Sequence, residues 1–167
     1  MEHTTPDPNP RPVANRLFDN DDFHRRANAD DALRAYFRWA DVEWDEEVQK
    51  IGQGEDRTAF LVNSIVYKLG SRASANAYDH QTLEAARRAG KPWAPPSCLF
   101  EITTEFGVQH VMAMPYIVSD GTDADPDALA RMFKDAGDEI DFTNYSVING
   151  QPIVIDGCTV RRGSWYA

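Results

Sequence analysis

The sequence predicts an α+β fold: an antiparallel five-stranded sheet with one packed helix, followed by a β-hairpin. Three observations lead there. Strand signals come as a group of three and a group of two, gathered around one helical stretch instead of alternating with helices. The strands of the first group follow one another across short turns, for which antiparallel pairing is the simplest assembly. Asn149-Gly150 lies between two short apolar runs, and both central positions of such a turn favour positive φ, which marks a hairpin.

Residues 1–13 carry Pro6, Pro8, Pro10 and Pro12 among polar residues, too little apolar surface to offset ordering, so a flexible tail is expected. Residues 14–41 form an N-terminal helical segment. A short helix surrounds Leu17, Phe18 and Phe23, and a second, capped by Asp30 or Asp31, runs through Ala40. Leu33, Tyr36, Phe37 and Ala40 recur at helical spacing as its buried stripe, with Trp39 and Trp44 at the exit. Such a helix packs on the domain or, as the alternative, binds a partner.

From Val48 two extended runs are joined by a turn holding Gly52 and Gly54, and after Asn63-Ser64 a third strand covers 65–69 with Lys68 in apolar surroundings. Ser74 or Asn76 caps a helix from about Ala75 to Ala89, closed by Gly90, with Tyr78, Leu83 and Ala86 facing the sheet. A breaker-rich loop at 91–96 leads to strands at 98–104 and 108–114, turned at 105–107. A loop with Gly121 and several aspartates precedes a helix from Asp127 to about Lys134, whose core candidates are Leu129, Met132 and Phe133. The hairpin then pairs 145–148 with 152–155, and 161–167 form a C-terminal tail.

The hairpin sets Asn144 just before its first strand and Asp156 just after its second. An amide oxygen and a carboxylate at one open end can hold a hard cation such as magnesium. Equally, Asn144 caps a turn and Asp156 is a solvated loop residue.

Composition bounds the function classes. The chain has 167 residues, 42% of them hydrophobic and 11% aromatic, which suits one domain with a real core. A net charge of −10 argues against nonspecific nucleic-acid binding through phosphates. A nucleotide site, which needs only a few local donors, is compatible with it. Cys98 and Cys158 match no zinc or redox spacing and read as ordinary buried thiols. No apolar run reaches membrane-spanning length, and the N-terminus lacks the basic start and apolar core of a secretory signal, so no membrane contact and a cytoplasmic location are the default expectations.

Several motifs, in this order, resemble the protein-kinase-like fold over roughly residues 42–160. The likeness is to the short bacterial and phage kinase-like proteins and the aminoglycoside-phosphotransferase branch. The stretch from Ile51 to Phe60, with Gly52 and Gly54, resembles a glycine-rich nucleotide loop that lacks a third glycine. Val66-Tyr-Lys68-Leu resembles the third-strand lysine motif. Glu84 sits in the next helix at a spacing compatible with the lysine's ion-pair partner, and Asp79 is a second candidate. Met112-Ala-Met114-Pro-Tyr resembles the strand leading to the hinge, where backbone groups meet adenine. Asn144 and Asp156 resemble the two magnesium ligands, separated by a hairpin.

The resemblance implies a kinase N-lobe-like sheet followed by a truncated C-lobe, with ATP and magnesium (Mg2+) as cofactors. Glycines bring backbone N–H groups close to phosphates, Lys68 neutralises phosphate charge, and the metal bridges phosphate oxygens. The same residues have plainer uses. The glycines suit a tight turn, Lys68 can snorkel from a strand, and Glu84 can pair with Arg87 or Arg88 along the helix.

Two departures from the family bear on activity. The position of the catalytic aspartate, five residues before the asparagine, is Glu139, with Asp138 and Asp141 nearby at other spacings. The chain also ends ten residues after Gly157, where a kinase would continue into its substrate-presenting lobe. The first expectation is therefore a minimal pseudokinase that acts through a host or phage protein partner, with nucleotide at Gly52, Gly54, Lys68, Asn144 and Asp156. The alternatives are a small active kinase using Glu139 or Asp141 as base, and a scaffold without a nucleotide site.

Overall fold

The computed structural model describes residues 20–54 and 56–166, and the expected tail at 1–13 and the start of the helical segment lie outside them. Helices α1 (Asn20–Arg26) and α2 (Ala29–Trp39) precede strands β1 (Gln49–Gln53), β2 (Arg57–Val62) and β3 (Ile65–Gly70). Helix α3 (Ala73–Arg88) separates these from β4 (Cys98–Thr104) and β5 (Gly107–Pro115). Helix α4 (Pro126–Ala136) leads to the hairpin β6 (Tyr145–Ile148) and β7 (Gln151–Val154) and a 3₁₀ turn at Gly157–Thr159. The five strands form one antiparallel sheet in the order β1-β2-β3-β5-β4, and β6-β7 form a separate two-stranded ribbon.

The period of two along each strand sends alternate side chains to opposite faces of the sheet. Phe60, Val62, Ile65, Tyr67, Leu69, Val111 and Ala113 point to one face and are covered by α1 and α2 through Phe23, Ala32, Ala35 and Tyr36. Val66, Met112 and Met114 point to the other, where Leu83 and Ala86 of α3 meet Trp93, Met132, Ile153 and Val154. Strand β3 is thus buried on both faces, which explains its unbroken apolar run around Lys68. Full burial of a side chain such as Leu83 or Met112 contributes about 1.5–3 kcal/mol relative to exposure.

Helix starts differ from the sequence expectation. α2 is capped by Asn28, whose Oδ1 accepts from the Asp31 backbone N–H, so neither Asp30 nor Asp31 is the cap. Asp31 instead faces inward, where its carboxylate accepts from Asn63 Nδ2. The helix packs on the sheet through Ala32, Ala35 and Tyr36, while Ala40 is exposed. α3 begins at Ala73 with Arg72 as its cap residue and no capping side chain, so Ser74 and Asn76 do not cap it. Asn76 is fully buried, and its Nδ2 donates to the backbone carbonyls of Lys68 and His110, pinning helix to sheet.

The hairpin has the expected turn: Asn149 and Gly150 have φ of 49° and 77°, and Ile148 faces Gln151. The loop before α4 straps its tip. Asp120 accepts from Asn149 N–H, Thr122 Oγ1 accepts from Gly150 N–H, and Asp125 N–H donates to the Gly150 carbonyl. The C-terminal residues are fastened as well: Arg162 stacks on Tyr78 and Tyr166, and Trp165 Nε1 donates to the Asp135 carbonyl. No helix among the described residues is long and apolar enough to cross a membrane.

Candidate functional site

One open cleft of about 460 Å³ lies between the β1–β2 turn, the start of α3 and the open end of the hairpin. Its lining includes Gly52, Gly54, Lys68, Asn144 and Asp156, together with Arg57. The volume falls in the range of small-ligand sites.

Strand geometry places the two cations. Arg57 and Ala59 share a face of β2, and Ala59 pairs with Lys68 while Arg57 pairs with Gly70. Arg57 and Lys68 are therefore diagonal neighbours on the face toward α3. Helix geometry places their anion. Asn76, Asp79, Leu83 and Ala86 follow the helical period and are all fully buried, so the stripe that is apolar at one end is polar at the other.

Asp79 holds the centre. Its Oδ2 is 2.6 Å from Arg57 Nη1 and 3.4 Å from Lys68 Nζ, and its Oδ1 accepts from Gly157 N–H at 3.1 Å. Arg57 Nη2 reaches Asp156 Oδ1 at 2.5 Å, and Nη1 also donates to Asn76 Oδ1 at 3.2 Å. Lys68 Nζ donates to the Ile155 carbonyl at 2.5 Å. Sheet, helix and hairpin end are thus joined by one charged network. Burial acts against the charge of Arg57, but the fields of Asp79 and Asp156 outweigh it and its pKa is raised.

The carboxylate paired with Lys68 is therefore Asp79, and Glu84 makes no ion pair with the lysine. Glu84 follows Leu83 directly, a rotation of about 100° away from the buried stripe, and is half-exposed. The helical period counted back from Leu83 selects Asp79, a signal present in the sequence. Met112 and Met114 are core residues of β5, fully or almost fully buried, and do not line the cleft.

Glu139 and Asp141 do not line it either. Glu139 is exposed, 3.9 Å from Arg161. Asp141 is exposed, and its Oδ1 accepts from the hydroxyl and the backbone N–H of Thr143, which together lower its pKa. That makes it a weaker base than an ordinary aspartate.

The glycines have local work to do. Gly52 follows a bulge in the β1–β2 ladder, and Gly54 N–H donates to the Arg57 carbonyl to close the turn. Gly157 is required by close approach, since a Cβ there would stand 2.2 Å from Asp79 Oδ1 and 3.0 Å from Leu83 Cγ. Gly157→Ala is expected to lower stability by about 1–3 kcal/mol in urea denaturation, because Asp79 has to leave its partners to make room.

Asn144 and Asp156 are both engaged by protein donors. Asp156 Oδ1 already accepts from Arg57 and from Cys158 N–H, and Asn144 Oδ1 accepts from Asp141 N–H. Asp79, Asp156 and Cys158 do bring one donor atom each within 4.8 Å of one another. The thiol is not a ready ligand, however. Desolvation pushes Cys158 up to about 11 against the pull of Arg57, and its Sγ donates to the Ala75 carbonyl.

The sequence matches no protein-family model, and a search of curated proteins gives no match.

Proposed function

We propose that this is a minimal kinase-like protein without phosphotransfer, a pseudokinase whose cleft takes a nucleotide and which acts chiefly through contacts with a protein partner. One observation carries the reading. Gly52, Gly54, Lys68, Asn144 and Asp156, from four separate segments of the chain, converge on one cleft of ligand-binding size. A five-stranded antiparallel sheet with α3 against it, followed by a hairpin, agrees with the architecture that the motifs imply. The exclusion of Glu139 and Asp141 from the cleft supports binding over transfer, since a general base must come within hydrogen-bond reach of the proton it takes. Exposed Trp44, Phe106 and Phe142 supply apolar surface for a host or phage partner.

A scaffold without a nucleotide site is the second reading, favoured by a specific feature. Arg57 and Lys68 on one side, and Asp79 and Asp156 on the other, balance each other's charge with no ligand. A thermal-shift series with ATP, in magnesium and in chelator, separates the two. A ligand at a hundredfold excess over its Kd stabilises by about 2.7 kcal/mol, so a binder shows a clear rise in Tm. Lys68→Ala is expected to lose most of that rise. No rise for the wild type at millimolar ATP supports the scaffold.

A further inference from the structure

The geometry points to Arg57 as a built-in cation that sits between Asp156 of the cleft and the buried Asp79 beside it, and excludes a divalent ion from the two carboxylates. The glycine pattern begun by Gly52 and Gly54 would place its third glycine at position 57, and that position holds arginine. Its guanidinium bridges Asp79 at 2.6 Å and Asp156 at 2.5 Å, with Asn76 as a third partner. The side chain is one-tenth exposed and the carboxylate of Asp79 is inaccessible, so the contact is not a surface pair that solvent loosens. A guanidinium stays charged at every accessible pH, and its planar fork suits carboxylates and phosphates alike.

Charge and geometry agree on exclusion. With Arg57 in place, the two carboxylates and the two cations balance, and an incoming dication would meet a fixed positive charge at its own position. Without Arg57, the same two carboxylates retain only Lys68 and offer hard oxygen ligands close enough together to share one ion. This inference rests on the nucleotide reading only for its consequence: if the cleft takes a nucleotide, Arg57 does part of a metal's work and binding proceeds without magnesium.

The test is a titration of the full chain with manganese(II), with the free ion followed by electron paramagnetic resonance and no nucleotide present. The wild type is expected to take up no ion at this site at millimolar manganese, and Arg57→Gln is expected to gain one. Arg57→Met, which retains an apolar stem, serves as the second variant if the first does not fold. Uptake by the wild type that is lost in Asp156→Asn overturns the proposal. So does failure of both folded variants to gain a site, since something other than Arg57 would then exclude the ion. A second arm measures ATP affinity by calorimetry in chelator and in magnesium. The wild type is expected to differ by less than about twofold between the two, and Arg57→Gln to bind at least about tenfold more tightly with magnesium. A wild type that binds ATP only with magnesium contradicts the proposal. A wild type that binds no ATP in either condition removes the nucleotide reading alone, and the manganese result then decides the role of Arg57.

Discussion

Asp79→Ala is expected to lower the unfolding free energy by about 3–5 kcal/mol, the cost of stranding a buried charge whose partner is removed. Two cations lose their shared anion at once. Arg57 retains Asp156 and Asn76, whereas Lys68 retains only the Ile155 carbonyl. The Gly157 N–H, at a buried position, loses its acceptor as well. Total stability of a domain this size is typically about 5–15 kcal/mol, so the variant approaches the limit of folding. Glu84→Ala is the matched control, expected within about 0.5 kcal/mol of wild type because Glu84 is half-exposed and makes no ion pair with Lys68. Urea denaturation of both variants measures the difference. Similar losses from the two would reject Asp79 as the anchor of the network.

Trp93→Ala is expected to cost about 3–5 kcal/mol by opening a cavity at the junction of three elements. The ring is 1% exposed and lies edge-on to Trp165 with centroids 5.6 Å apart. Its Nε1 donates to Asp135 of α4, and its carbonyl accepts from Val154 N–H of β7 at 2.8 Å. Trp93 therefore fixes the strand that ends beside Asp156, and its loss is expected to loosen the hairpin end of the cleft along with the core. Phe106→Ala, at an 81% exposed turn, is the aromatic control and is expected to be nearly neutral. Hydrogen exchange at β7 tests the local part, with the amide of Val154 expected to lose protection in Trp93→Ala and to retain it in Phe106→Ala.

Much of the architecture was legible because it rests on local signals. Apolar runs between glycine turns and the Asn149-Gly150 hairpin located the strands, with Gly52 falling inside β1 instead of in the turn after it, and their clustering gave the α+β class with an antiparallel sheet. Helix starts were less legible, since several nearby polar residues compete for each cap and tertiary contacts choose among them. Asn28 caps α2, and Asn76 is drawn into the interior by two backbone carbonyls of the sheet. Asn144 and Asp156 could be placed together from the hairpin, and Lys68 joins them only through the kinase resemblance. The charged network could not, because it depends on which face of β2 carries Arg57 and which stripe of α3 meets the sheet. Arg57 carries no motif of its own in the sequence, although its place on the same face as Ala59 follows from the strand period. Glu139 has the expected spacing from Asn144 and Asp141 only lies near it in sequence, and neither property aims a side chain into a cleft.

Gly52, Gly54, Lys68, Asn144 and Asp156 line one cleft, and nucleotide binding there is the proposal on which the pseudokinase reading depends. Calorimetric titration of ATP into the full chain, with Lys68→Ala in parallel, tests it most directly. One site per chain in the wild type, weakened at least about tenfold in Lys68→Ala, is the expected result. No binding at millimolar ATP, or binding that Lys68→Ala retains unchanged, contradicts it.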